Sequence, residues 1–502
     1  MMVDLDVTEV DSVYVRVQCE RGIAHELSDY FTFKVPGYKF MPAYRARLWN
    51  GEIKLYNIHT QQIYAGLVDY VKKFADERQY SVALPVRNTF KTTPETVRGF
   101  IEDHLDVRVH GNKVPAHEHQ INAVLHAMQE ERCLLLSPTG SGKSLIIYSL
   151  IRYYLSKIAR DRKVLVIVPT VSLVEQMITD FTDYSSANGW KVDEQCHKIS
   201  EGADKNTAKR VVVSTWQSIY KQSDKWFEQF GAVIGDEAHL FKSKSLTAIM
   251  TRLHRCPFRV GTTGTLDGTN THRLVLEGLF GRAYEVTKTK TLMDKKILSD
   301  LKIDCIVLSY PDIDRESVKR AKYQDEIKWI VRSPRRNKFI AGLCSRLKGN
   351  TLILFQFVEE HGKVLNTLVR ACLPPERKVF FVHGGTEAED REEIRKIVDS
   401  ENDAVIVASY GTFSTGISIR RLNNIIFASP SKSRIRVLQS IGRQLRVAKD
   451  KTSARLYDIG DDLSWKSWKN HTLRHMNERM RLYEAEGFDH KAIRIQLQGE
   501  DQ

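Results

Sequence analysis

The chain has 502 residues, carries 76 Lys plus Arg against 62 Asp plus Glu for a formal net charge of +14, and is 42% hydrophobic, 27% charged and 9% aromatic. That balance excludes a disordered chain and a fibrous repeat, and at roughly 100–200 residues per domain it calls for about three domains with cores of their own. No apolar run approaches the about 20 residues of a membrane helix, the first residues lack a secretory signal, and the seven scattered cysteines hold no CxxC pair, so the expectation is a cytoplasmic protein with reduced thiols and a field that attracts polyanions.

Residues 1 to about 85 read as a small mixed module in which Val13 to Val17 alternates like a strand. Asn50-Gly51 is a type I′ turn signal, and a hairpin over Arg45 to Tyr56 would set Trp49 opposite Glu52, Leu48 opposite Ile53 and Arg47 opposite Lys54. Like charges across a strand pair repel. Arg47 facing Lys54, with Arg45 on the same strand, therefore makes sense with a phosphate nearby, the alternative being a solvated strand face. Lys34, Tyr38, Lys39 and Tyr44 would extend such a patch. The polar stretch Asn88 to Pro94 and the acidic segment Glu102 to Asp106 read as a linker, with a boundary near residue 110.

Beyond it, the short apolar runs Cys133 to Leu136, Val164 to Val168, Val211 to Val213, Ala232 to Ile234 and Arg259 to Gly261 alternate with helix-length stretches. That rhythm means α/β with a parallel sheet. After a charged, helix-like region from Asp312 to Lys338 it resumes with Thr351 to Phe355, Val379 to Val382, Val405 to Ala408 and Asn424 to Ala428. The tail from Trp465 to Gln498 spaces Leu473, Met476, Met480 and Tyr483 as a helix does. The expected division is 1–110, 111–298, 299–462 and 463–502. Arg332, Arg335, Arg336 and Lys338, and Lys466, Lys469, Arg474, Arg479 and Arg481 in the tail, read mostly as solvated helix faces.

Ser137-Pro138-Thr139-Gly140-Ser141-Gly142-Lys143-Ser144 follows a strand and opens a helix. Glycines let backbone N–H groups converge on phosphate oxygens, a lysine reaches the outer phosphates, and a hydroxyl meets Mg²⁺. Asp236-Glu237-Ala238-His239 then puts two adjacent carboxylates at the end of a strand. Hydrolysis of a nucleoside triphosphate needs that pair, one for the metal shell and one for the attacking water. Lys143, Ser144, Asp236 and Glu237 are thus candidates for phosphate, metal, metal and general base, with ATP and Mg²⁺ as cofactors.

The ordered motifs resemble superfamily 2 helicases and translocases, which implies two tandem RecA-like domains. In that pattern Gln120, within His117-Glu118-His119-Gln120, reads the nucleotide base. Pro169-Thr170 and the Thr215 of Ser214 to Ser218 line the nucleic-acid track, and Gly261 to Thr265 couples hydrolysis to strand contacts. Thr415-Gly416-Ile417 resembles motif V, and Gln439 to Arg446 resembles motif VI, whose Arg443 and Arg446 act on the γ phosphate. A charge supplied only on closure makes hydrolysis conditional on it. His239, Gly416 and Gln439 join the nucleotide-binding candidates by the same resemblance.

A narrower resemblance, to the UvsW-type helicases of T-even bacteriophages, rests on Trp226 to Gly231, Tyr323 to Lys328, Arg336 to Lys338 and Ala408 to Ser418, and on Phe40, Pro42, Trp49, Gly51 and Ile53 in the amino-terminal module. Ala238 and Gly140 depart from that pattern. The resemblance implies a phage enzyme in the infected host's cytoplasm that remodels branched nucleic acids: forks, four-way junctions, single strands and RNA–DNA hybrids, alongside phage recombination and single-strand-binding proteins. The competing expectations are a double-strand translocase and an annealing or clamp protein.

Overall fold

In the computed structural model, the described residues are 3–86, 90–158, 161–199, 204–416, 419, 421–431, 433–445 and 453–497. They form two compact units, residues 1–137 with 141–287, and residues 288–502 with 138–140.

The first unit opens with β1 (Leu5–Glu9) and β2 (Tyr14–Cys19), followed by β3 (Thr32–Lys34), β4 (Glu52–Lys54), β5 (Tyr56–Asn57), β6 (Gln62–Tyr64) and β7 (Val82–Ala83). A five-stranded sheet runs β5-β6-β2-β1-β7, and β3 and β4 make a separate antiparallel ribbon. Alternation in β1 and β2 turns Leu5, Val7, Val15 and Val17 inward, where they meet Leu27 of the helix Arg21–Tyr30, Phe31 just past its end, and Val71 and Phe74 of the helix Val68–Arg78.

Two expectations fail here. The hairpin over Arg45 to Tyr56 does not form: Lys54 pairs with Thr32 and Glu52 with Lys34, Pro42–Arg45 is a helical turn, and Arg47 sits at φ 57°. Asn50 closes a local turn instead, its Oδ1 accepting from Glu52 N at 3.0 Å, so the neighbouring ribbon outcompetes the short-range pairing. The supposed linker also folds. Thr93 caps the helix Pro94–Gly99, and Val97, Phe100, Ile101 and Leu105 are buried; the described part of residues 88–106 is packed structure.

The small ribbon β8 (Arg108–Val109) and β9 (Asn112–Lys113) leads into β10 (Arg132–Leu136), β11 (Lys163–Val168), β12 (Cys196–Ile199), β13 (Val211–Thr215), β14 (Phe230–Asp236), β15 (Phe258–Thr263) and β16 (Ala283–Glu285). Their parallel sheet has the order β12-β13-β11-β14-β15-β10-β16. Buried on both faces, its strands read as continuous apolar runs. The amino-terminal module shares one core with a face of this sheet: Leu67, Val71 and Phe74 belong to the same apolar cluster as Leu134, Leu165 and Phe280. Polar contacts reinforce the junction. Ser12 N donates to His254 O at 2.9 Å, Arg132 Nη2 donates to Ser12 O at 2.7 Å, and Tyr70 Oη bonds to the buried Glu277 carboxylate.

In the second unit, β17 (Asp300–Ser309), β18 (Thr351–Phe355), β19 (Val379–Val382), β20 (Val405–Ser409), β21 (Asn424–Phe427), β22 (Ser453–Asp462) and β23 (Asp489–Gln496) form a parallel sheet ordered β19-β20-β18-β21-β22-β17-β23. The tail is only partly helical: after the helix His471–Ala485 it returns as β23 and pairs with β17. The fold class expected from sequence, tandem RecA-like α/β domains with an α+β amino-terminal module, is the one observed.

Candidate active site and nucleic-acid interface

The phosphate loop leaves β10 at Ser137, whose N–H donates to Thr263 O at 2.8 Å, and ends at Gly142, which precedes the helix Lys143–Tyr153. Gly140 and Gly142 take φ of 87° and 84°, a conformation that a Cβ disfavours. At Gly142 space matters as well, since a Cβ would stand 2.2 Å from Gln120 Nε2. The loop is braced from within and behind. Ser137 Oγ and Ser141 Oγ lie 2.6 Å apart, and Lys143 Nζ donates to Ser137 O at 3.2 Å. Gln120 Nε2 and His119 Nε2 both donate to Ser141 O, at 3.0 and 2.9 Å, while Gln120 Oε1 accepts from His117 N at 2.9 Å. Gln120 is therefore placed against the loop, and His119, which the sequence did not single out, shares its task.

Asp236 ends β14, and its Oδ1 accepts from Thr262 Oγ1 at 2.8 Å and from Glu237 N at 2.9 Å. Burial, and then the adjacent Glu237 carboxylate, push the Asp236 carboxyl above its ordinary range, while Lys143 pulls it down. A crowded pair of carboxylates with one lysine nearby is a site that favours added positive charge. Glu237, at φ 50°, reaches His239 with Oε2 to Nδ1 at 3.2 Å. His239 Nδ1 also lies 3.0 Å from Thr263 Oγ1, which donates to Thr265 O at 3.2 Å. Thr262 and Thr263 were legible only as members of a motif, without roles.

Because the sheet is parallel, Ser137, Pro169, Thr215, Asp236 and Thr263 all come to its carboxyl edge, where open α/β sheets bind ligands. Thr170 caps the helix Val171–Tyr184, accepting from Leu173 N at 3.4 Å. Thr215 is buried, its hydroxyl 3.0 Å from Ser218 Oγ. Arg45, Arg47 and Lys54 are exposed on the amino-terminal module, without the cross-strand pairing expected of them.

In the second unit, Thr415 and Gly416 close the helix Tyr410–Gly416 after β20, and Gln439 and Arg443 lie on the helix Arg434–Gln444 after β21. Arg446 and Ile417 lie outside the described residues, as do the side chains of Thr415 and Arg443. Two arginines that read as solvated are in fact buried. Arg336 bonds to Asp461 at 2.7 and 3.2 Å and donates to Ala428 O at 2.6 Å; Arg479 bonds to Asp458 at 2.7 and 2.8 Å and donates to Ser431 O at 3.0 Å. Tyr310 and Tyr483 each give a further 2.7 Å bond to those aspartates. Asp458 and Asp461, both on β22, thereby pin the backbone that launches the helix of Gln439 and Arg443. Helical spacing hid this, because an arginine on an amphipathic helix reads as surface until its acid partner is known.

A phosphate loop, an acidic pair at a neighbouring strand end and a second RecA-like sheet define a superfamily 2 nucleic-acid-dependent ATPase. Family models agree segment by segment: "DNA helicase UvsW, N-terminal" matches residues 4–85, "Type III restriction enzyme, res subunit" 113–268, and "Helicase conserved C-terminal domain" 335–448. The ATP-dependent DNA helicase uvsW of Enterobacteria phage T4 is 34% identical over 98% of this chain and 100% of its own length. The crystal structure of T4 UvsW matches with a TM-score of 0.53 at 33% identity, covering 99% of this chain and 100% of that one. A DNA 3′-5′ translocase, XPB2 of Sulfurisphaera tokodaii, is 25% identical over 76% of this chain and 90% of its own. The chain belongs to the UvsW family of ATP-dependent DNA helicases.

Proposed function

We propose that this helicase remodels branched nucleic acids, regressing forks, migrating four-way junctions and dissociating R-loops and D-loops during phage recombination, repair and replication in the host cytoplasm. The observation that supports the reading most is the amino-terminal module, which places exposed Arg45, Arg47 and Lys54 on a body sharing one core with the ATPase sheet. A nucleic-acid contact made there is mechanically continuous with the site of hydrolysis. The division 1–110, 111–298, 299–462 and 463–502 belongs to the same proposal.

Lys143 binds the outer phosphates, with Thr139, Gly140, Ser141 and Gly142 surrounding them by backbone N–H groups in the loop that Ser137 opens; Gln120 reads the base, and Gln439 is a further nucleotide-binding residue. Ser144 and Asp236 would hold Mg²⁺, whose charge, when bound, neutralises the phosphates; hard oxygen donors and the raised carboxyl of Asp236 fit that ion. Glu237 orients and deprotonates the attacking water, and Arg443 and Arg446 stabilise charge on the transferring phosphoryl group. His239 and Gly416 complete the nucleotide site, while Pro169, Thr170, Thr215 and Thr415 follow the strand. Lys143→Ala and Glu237→Gln should leave DNA binding largely intact while abolishing turnover. Robust ATPase in purified Glu237→Gln would refute the role given to Glu237.

A further inference from the structure

Among the exposed apolar side chains of the amino-terminal module, Phe40 at 76% and Leu48 at 83% fall within one short segment. Singly scattered exposure of such groups is ordinary, whereas exposed apolar side chains gathered on one braced segment mark a candidate contact surface. Both belong to the segment between β3 and β4, which is closed at its base: Val35 N donates to Gly51 O at 2.9 Å, and Lys34 pairs with Glu52 at 3.0 Å. Inside the loop, Tyr38 meets Tyr44 edge-on at 4.8 Å and fills the space beside Gly51, where a Cβ would stand 2.2 Å from its ring. Trp49 Nε1 donates to Glu52 O at 2.7 Å, and Leu48 N donates to Ala43 O at 2.9 Å. The loop is a braced knob, so a contact made by its tip pays little ordering entropy.

Its charge selects the partner. Between Val35 and Gly51 the sequence contains Lys39, Arg45 and Arg47 and no acidic residue. An apolar tip amid basic groups fits a polyanion whose interior is apolar and stackable: the phosphates meet the cations, and the bases meet the ring and the isobutyl group.

We propose that Phe40 and Leu48 form an apolar wedge that enters the base stack at the branch point of bound DNA, while Lys39, Arg45 and Arg47 hold the flanking phosphates. The inference rests on the branched-DNA reading above and adds the unstacking step to it. At a branch the stack is already interrupted, so insertion costs less there than within continuous duplex, and the knob distinguishes branch from duplex without reading sequence.

The test uses the full-length protein without nucleotide, a synthetic fork carrying 2-aminopurine at the branch, and the same label inside linear duplex. Wild type should raise the fluorescence on the fork about twofold or more, as unstacking does, and leave the linear duplex unchanged. The Phe40→Ala, Leu48→Ala double variant should lose the fork signal while binding linear duplex within about twofold of wild type, since its cations remain. Both side chains are exposed, so the fold and basal ATPase should not change, and Phe40→Leu should keep part of the signal. Arg45→Ala with Arg47→Ala should instead weaken binding to both DNAs and flatten the salt dependence. A full fork signal in the double alanine variant, or none in wild type, overturns the wedge, including the case in which the apolar pair serves a protein partner. The salt slope of the arginine variant separately decides whether the basic contact stands.

Discussion

Glu237 Oε2 lies 3.2 Å from His239 Nδ1, and that nitrogen is also 3.0 Å from the hydroxyl of Thr263 at the end of the next strand. The side chain proposed to activate water is thus tied, through one imidazole, to the Gly261–Thr265 motif of β15. His239→Ala should lower DNA-stimulated hydrolysis about a hundredfold, the lower end of what a positioned acid–base group contributes, and Thr263→Ala should cost less. Steady-state ATPase with and without DNA checks this. An unchanged stimulation ratio in His239→Ala would break the connection.

The bracing of the phosphate loop by Gln120 makes Gly142 intolerant of a side chain. Gly142→Ala combines a positive φ with a Cβ 2.2 Å from Gln120 Nε2, and the backbone conformation alone costs about 1–2 kcal/mol. ATP affinity should fall by at least about tenfold, since 1.4 kcal/mol is a factor of ten. Titration with a fluorescent nucleotide measures it.

The buried pairs of β22 predict a second kind of failure. Arg479→Leu leaves Asp458, which is fully buried, with Tyr483 but without its cation, and breaking such a pair costs about 3–5 kcal/mol. The variant should unfold at a clearly lower denaturant concentration, and Arg479→Leu with Asp458→Leu should recover most of the loss. Removing residues after 462 takes away Arg479, Tyr483 and the edge strand β23 together. Such a truncation should therefore fail to fold rather than merely lose DNA stimulation.

His361 supplies a pH signature. Burial, and then the Arg336 guanidinium, push its imidazole down from 6.5 to about 3, while Nδ1 lies 2.9 Å from Ser429 Oγ. The folded protein therefore keeps this histidine neutral where the unfolded chain protonates it. Its contribution to stability is whole above the unfolded value, falls as pH drops through 6.5 and levels off near 3. Between pH 8 and pH 5 the loss is about 2 kcal/mol, at 1.36 kcal/mol per unit for one proton. Denaturant unfolding of wild type and His361→Gln at both pH values checks this: the variant should lose less stability on acidification.

The sequence made the two sheets legible because strands buried on both faces read as unbroken apolar runs: Thr351 to Phe355 and Val379 to Val382 match β18 and β19 residue for residue. The phosphate loop and acidic pair were legible because their chemistry demands fixed residue types at fixed spacing. What was misread depended on distant partners. Asn50-Gly51 reads as a hairpin turn until the chain offers Glu52 its partner Lys34, 18 residues upstream, and Arg336 and Arg479 read as solvated until β22 supplies Asp461 and Asp458. Likewise β23 carries alternating polar residues, as an edge strand can, and merged with the helix before it.

Strand separation on a four-way junction, a fork and an R-loop with ATP, with Lys143→Ala as the control, tests branched-substrate remodelling directly. Wild type should resolve all three, linear duplex of equal length should persist longest, and the variant should bind each substrate without resolving it. DNA-stimulated hydrolysis with no separation of any branched substrate would contradict remodelling and leave a translocase or a clamp.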